Sequence, residues 1–222
     1  RRRRRHLQSH RGCRRACQSA GDALANTPNS RVLANAPTSL LIVPASLIGN
    51  WKAEVAKFAP DLRLFIAHPS QTDRETLALA ATHPAEALRG FDVMLTTYQF
   101  LQKTDAWLSH AWSMVILDEA QAIKNSGSGS AKAVKALQAP VRIALTGTPV
   151  ENRPGDLWSL FDFLNPGLLG GSTAFADAVK HCAKSSEGYA PLRRLVRPYI
   201  LRRMKTDRRI ISDLPDKIEL KA

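Results

Sequence analysis

Cysteine is scarce in this chain: Cys13, Cys17 and Cys182 make an odd number, with no signal-peptide pattern ahead of them. That argues against a disulfide framework and sets the expectation of a reducing, cytoplasmic setting. Long apolar runs are missing too. None approaches the roughly 20 residues of a membrane span, so the sequence reads as a soluble globular chain. Acidic residues are in short supply, 19 Asp and Glu against 32 Lys and Arg in 222 residues, for a formal charge of +13. Such an excess favours a polyanionic partner. It is unevenly spread: Arg1 to Arg5, Arg11, Arg14 and Arg15 put eight positive charges and no acid into the first fifteen residues. Thirteen less eight leaves only +5 for everything after them. No internal repeat is apparent.

Residues 1–36 lack a sustained apolar period and are rich in Arg, Ser, Ala, Asn and Pro, which predicts a weakly packing basic tail. The same composition would arise from an out-of-frame reading of a GC-rich gene. From about Pro37 five short apolar runs follow, Leu40 to Val43, Leu64 to Ala67, Val93 to Leu95, Met114 to Leu117 and Ile143 to Leu145, and each reads as a buried strand. Helical patterns lie between them. Leu47, Trp51, Val55 and Phe58 recur on one face after Ser46, a good N-cap, and Ala131, Val134 and Leu137 follow Ser130. Strand and helix in alternation predict an α/β fold, a parallel sheet flanked by helices on both faces, with ligands binding beyond the carboxyl ends of the strands. After Pro149 the pattern is helical only. Leu157, Leu160, Phe161 and Leu164 share a face until Pro166 and Gly167 stop it, and small helices with a basic connector fill the remainder. The expected organisation is a tail over 1–36, a lobe over 37–170 and a helical extension over 171–222.

The most informative segment runs from Met114 through Leu117 into Asp118, Glu119, Ala120 and Gln121. A buried strand there delivers two adjacent carboxylates to the ligand-binding edge. Hard oxygen ligands suit Mg²⁺, which takes one or two carboxylates plus water and phosphate oxygens, and a neighbouring carboxylate can orient an attacking water. Asp118 would hold the metal, through water, and Glu119 the attacking water. The plainer alternative is a capping Asp beside a solvated Glu. The next strand ends in Leu145, Thr146, Gly147, Thr148 and Pro149, two hydroxyls around a glycine, which is also an ordinary turn composition.

Several segments together carry a resemblance. Leu41 to Trp51, Leu95 to Tyr98, Ile116 to Asn125, Ala144 to Asn152 and Asp156 to Gly170 resemble the first, RecA-like motor lobe of the Swi/Snf family of helicase-like DNA translocases in superfamily two. Tyr199 to Asp207, then Asp213 to Lys217, is similar to the segment leaving that lobe, so the likeness runs from about Pro37 onward. The resemblance implies a P-loop NTPase type of fold, ATP and Mg²⁺ as cofactors and DNA as a partner gripped without regard to sequence. It makes Asp118 and Glu119 the Walker B pair of a DEAQ box. Gln121, Thr146, Gly147 and Thr148 become the residues that couple nucleotide state to DNA, and Ser46, Asn50, Thr96, Thr97 and Tyr98 the contacts to the DNA backbone. Helix-start amides and hydroxyls are chemically suited to phosphate. Ser46 could equally be a plain N-cap. The four tryptophans, Trp51, Trp107, Trp112 and Trp158, fall in amphipathic patterns and read as core.

One hallmark of such lobes is missing: no glycine in the chain is followed by lysine, so the phosphate loop G-x-x-x-x-G-K-[ST] is not here. Without it the phosphates lose their cradle of amides and the lysine on their oxygens. The expectation is therefore an incomplete chain, lacking that loop and the second lobe, and inactive by itself. The alternative is a non-catalytic DNA-binding or regulatory module that keeps the lobe's surface. His6, His10, Cys13 and Cys17 could offer nitrogen and sulfur ligands to zinc, but no apolar residues accompany them and no metal is expected there. His68, His83, His110, His181 and Cys182 read as structural. The expected location is the cytoplasm, with the nucleoid in a bacterium or the nucleus in a eukaryote.

Overall fold

A computed structural model describes residues 38–147 and 154–201. Five strands, β1 (Ser39–Val43), β2 (Leu64–Ile66), β3 (Val93–Thr97), β4 (Met114–Leu117) and β5 (Val141–Ala144), form one sheet in the order β2-β3-β1-β4-β5. Every pairing is parallel. The reason lies in alternation across a sheet covered on both sides. In β1, Leu40 and Ile42 join one apolar cluster with Met94, Val115, Leu117, Trp107 and Phe163, while Leu41 and Val43 join another with Trp51, Leu95 and Ile116. Successive side chains point to opposite faces, so only an apolar run satisfies both. Each such side chain contributes roughly 1.5–3 kcal/mol on leaving water.

Helix α1 (Ile48–Phe58) covers the second face. The first is covered by α2 (Arg74–Thr82), the short α3 (Pro84–Ala87), α4 (Tyr98–Leu101) and α5 (Asp105–Ser109), together with α6 (Gly129–Ala136) and α7 (Pro154–Leu164). Lys135 ties α6 to α7 by an ion pair to Asp162 at 2.9 Å and sits over the Trp158 ring. Trp51, Trp107 and Trp112 are buried, as the sequence predicts, whereas Trp158 is only half-buried.

Four local expectations are corrected. Ser46 is not an N-cap. Pro44 fixes the backbone so that the chain turns at once into a 3₁₀ helix (Ala45–Leu47) that runs on into α1, leaving Ser46 inside the turn with no capping bond. Ile48 and Trp51, rather than the whole stripe from Leu47, carry the burial of α1, and Phe58 is 39 % exposed. For α6 the cap is Ser128, whose Oγ accepts from the Ala131 amide at 3.2 Å; Ser130 is spent on Gln102 Nε2 at 3.0 Å. The turn from Asn125, which accepts from Gly127 N and Ser128 Oγ, starts the helix two residues early. β3 also runs two residues beyond Leu95, because Thr96 and Thr97 continue to pair with Ile42 and Val43.

β5 is an edge strand: among the described residues nothing pairs on its far side. Its residues are exposed or half-buried, with Val141 44 % exposed, whereas β1 and β3 are wholly buried. Arg142 is turned inward and donates to the carbonyls of Leu137 and Phe163.

The chain divides into two compact units, Arg1–Phe175 and Ala176–Ala222, within α8 (Ser172–Lys184). The second unit holds the rest of α8, then α9 (Ala190–Val196) and a 3₁₀ turn (Arg197–Tyr199). Arg194 pairs there with Glu187 at 3.5 Å, an exposed contact of little energetic weight. The cluster His6, His10, Cys13 and Cys17 lies outside the described residues.

Candidate functional site

The strand β4 runs out at Leu117, and the next residue is fixed by four hydrogen bonds. The Asp118 amide donates to the Ile42 carbonyl of β1 at 2.8 Å. Its carboxylate Oδ1 accepts from the Glu119 amide at 2.9 Å, and Oδ2 accepts from Trp51 Nε1 at 2.7 Å. Its carbonyl accepts from the Tyr98 hydroxyl at 2.8 Å. Glu119 then takes φ 48° and ψ 53°, the only non-glycine residue with positive φ among those described. That conformation costs an ordinary residue about 1–2 kcal/mol, so the surrounding bonds must hold it. They continue past the turn: Ala120 N donates to Leu145 O, and the buried Ser159 hydroxyl of α7 donates to the carbonyl of Ile123, the last residue of the 3₁₀ helix Ala120–Ile123.

Electrostatics follow from this placement. Burial first, and the charge of Asp118 second, raise the Glu119 carboxyl above the usual carboxylate range. The Tyr98 hydroxyl is pushed well above an ordinary phenol by burial, reinforced by the charges of Asp118 and Glu119, so it stays protonated and serves as a donor. Two neighbouring carboxylates that repel one another suit a hard divalent cation, which takes one or two such ligands and completes its shell with water. Among the described residues no group of three or more His, Cys, Asp and Glu could hold a metal, so the pair alone would have to serve.

Of the coupling residues, Thr146 and Gly147 lie beside this turn. Leu145 N donates to Leu117 O at 2.8 Å, and its carbonyl receives Ala120 N, which sets the ends of β4 and β5 side by side. Gly147 is exposed, and an added Cβ there would meet nothing within 4 Å. Gln121 is exposed on the 3₁₀ helix. Thr148 lies outside the described residues.

The five residues assigned to DNA separate into two groups. Ser46 is exposed and Asn50 half-buried, at the start of α1. By contrast, Thr96, Thr97 and Tyr98 are all buried, and every hydroxyl is engaged inside: Thr96 Oγ1 donates to Ala67 O, Thr97 Oγ1 caps α4 by accepting from Phe100 N, and Tyr98 holds Asp118. Their side chains are therefore not surface contacts, because a sheet covered on both faces turns both neighbours of an alternating pair inward. Two features escaped the sequence reading. Glu119 carries no glycine-like signal of a left-handed turn, and Trp51, rightly placed in the core, gives no hint that its N–H ends on a carboxylate; only the general need of a buried indole for a partner pointed that way.

Comparison with known proteins bears on this arrangement. The sequence profile described as SNF2-related domain matches residues 12–222, starting inside the stretch read as a tail and ahead of Pro37. An uncharacterized ATP-dependent helicase of Mycoplasma genitalium, MG018, is 39% identical over 181 residues, spanning 81% of this chain and 16% of that protein. The putative ATP-dependent helicase/translocase YwqA of Bacillus subtilis is 37% identical over 187 residues, 82% of this chain and 20% of its own length. The Sulfolobus solfataricus SWI2/SNF2 ATPase core in complex with dsDNA matches in backbone with a TM-score of 0.69 and 42% identity, over 83% of this chain and 37% of that one. The chain thus spans a fifth or less of these two curated relatives. With a profile match across nearly its whole length and the same RecA-like sheet as a solved ATPase core, this chain belongs to the SNF2-related domain family.

Proposed function

We propose that residues 37–170 are the first motor lobe of an ATP-dependent DNA translocase or helicase-like ATPase, with 171–222 leading towards a second lobe. The observation that carries this reading is the turn at Asp118 and Glu119: one carboxylate is held rigidly by two N–H donors, and the next is swung out of the strand line by a strained backbone. Mg²⁺, when bound, supplies positive charge that neutralises nucleotide phosphates and orders water. Asp118, held in direction by the Trp51 and Glu119 N–H groups, would hold the metal through water. Glu119, its carboxyl raised towards neutrality, is suited to take a proton from an attacking water. Gln121, Thr146, Gly147 and Thr148 report the state of that site to the DNA side. Ser46 and Asn50 grip phosphate at the start of α1 without reading bases. Thr96, Thr97 and Tyr98 serve from inside, by fixing the segment between the DNA side and Asp118. A second reading, a non-catalytic DNA-binding module, is favoured by one observation, the lack of any Gly-Lys pair.

The test grafts residues 37–222 in place of the matching segment of the Bacillus subtilis relative, with that parent as positive control. Phosphate release dependent on duplex DNA is expected. Glu119→Gln should keep nucleotide binding while release falls by about 10² to 10⁴, the usual range for losing a general base. Asp118→Asn should also weaken Mg²⁺-dependent binding. Near-normal turnover in both variants overturns the assignment, and a graft that binds DNA without any turnover supports the second reading.

A further inference from the structure

Three of the four tryptophans are buried and Trp158 is half-buried, and their indole N–H groups are placed in two ways. Trp107 donates to Ala80 O, Trp112 to Trp107 O and Trp158 to Gly170 O, all backbone carbonyls. Trp51 alone donates to a charged side chain, Asp118 Oδ2, at 2.7 Å across 67 residues of sequence. The ring is 2 % exposed, wedged between α1 and the sheet, so its direction is fixed by packing. A carbonyl acceptor would have satisfied it equally well.

We infer that Trp51 is a positioning residue for Asp118, setting the orientation in which that carboxylate meets a divalent cation; this rests on the reading of Asp118 as the metal-holding group. Three observations support it. Each carboxylate oxygen receives one N–H, Oδ1 from the Glu119 amide and Oδ2 from Trp51, so rotation of the group about its own axis is blocked. Each oxygen keeps a second lone pair. Finally, both donors are neutral, and no Lys, Arg or His among the described residues forms an ion pair with Asp118. The group is therefore oriented by neutral donors, and no ion pair among the described residues competes with a divalent cation for it. Removing an outer partner of this kind costs metal sites about 10- to 100-fold in affinity.

The test uses the intact chain and Mn²⁺ as the probe, read by loss of the free-ion electron paramagnetic resonance signal, alongside the indole ¹H–¹⁵N resonances. Asp118→Asn should shift one indole resonance, that of Trp51, and leave the other three in place. It should also abolish the specific Mn²⁺ site. Trp51→Phe should weaken Mn²⁺ by at least tenfold with cooperative unfolding retained. Should that variant fail to fold, 3-benzothienylalanine at position 51, which has sulfur in place of the N–H and nearly the same shape, must give the same loss. Mn²⁺ binding as tight as wild type in a folded N–H-less variant overturns the role of Trp51 while leaving Asp118 as the ligand. Equal binding by wild type and Asp118→Asn, or no binding by either, overturns the metal reading and this inference with it. An indole spectrum indifferent to Asp118→Asn overturns the contact itself.

Discussion

Tyr98 reaches over the end of β1 to hold Asp118: its hydroxyl leaves the terminus of β3, passes one strand, and donates to a backbone carbonyl at the terminus of β4, 2.8 Å away. Two strand spacings separate β3 from β4, about 9–10 Å, which a tyrosine side chain can bridge and a serine or threonine cannot. The bond fixes the main chain of Asp118, while Trp51 fixes its carboxylate.

Tyr98→Phe removes that donor and leaves the ring in place. The Asp118 carbonyl is then left unpaired in a part-buried setting, at a cost of about 1–2 kcal/mol. Urea unfolding should show a lower midpoint with an unchanged slope; an unchanged midpoint would mean that water replaces the phenol without loss.

The two serines near α6 make a clean contrast. Ser128→Ala deletes the cap to Ala131 N and should cost about 1 kcal/mol. Ser130→Ala loses only an exposed contact to Gln102 and should stay within about 0.5 kcal/mol. Thermal melts of the two variants side by side decide it, and equal losses would count against the cap.

Glu119 makes stability depend on pH. Its carboxyl lies above the ordinary range in the folded chain, so the folded state binds more protons than the unfolded one. Its contribution is present below the unfolded value and is lost as pH rises through the folded one. Glu119→Gln should therefore be more stable than wild type on the alkaline side of that window and lose the slope across it. Parallel pH profiles of the two proteins would exclude this origin.

DNA binding by the whole chain should be strongly salt-dependent. Eight arginines lie in the first fifteen residues, and each phosphate neutralised adds about 0.9 to the slope of log affinity against log salt. Deleting residues 1–15 should flatten the slope by several units while sequence preference stays absent. An unaltered slope would put the grip on the folded lobe instead, where Ser46→Ala with Asn50→Ala should then weaken binding uniformly.

How far the sequence carried the fold follows from its physics. A sheet buried on both faces demands apolar runs, and Leu40 to Val43 and Met114 to Leu117 stand out for that reason, as do the carboxylates after Leu117. Direction is harder to read. Thr96, Thr97 and Tyr98 mark a segment at the right edge, but their hydroxyls are consumed within the protein, and alternation alone does not tell polar groups turned to solvent from polar groups satisfied inside. Caps were misplaced by two residues where several serines and glycines compete, as at Ser128 and Ser130. The left-handed Glu119 was hidden because its conformation is imposed by the bonds that fix Asp118 to Ile42, Trp51 and Tyr98 and by the bond from Ala120 to Leu145, all to residues distant in sequence.

The outer margin of β5 has a practical side. Its row of amides and carbonyls is not covered by any other strand among the described residues, its side chains are only half sheltered, and its one cation, Arg142, is turned inward to Leu137 and Phe163 instead of standing guard. Such a margin is a template for a passing chain. A lysine placed at Val141 would set a charge on that margin and blunt it.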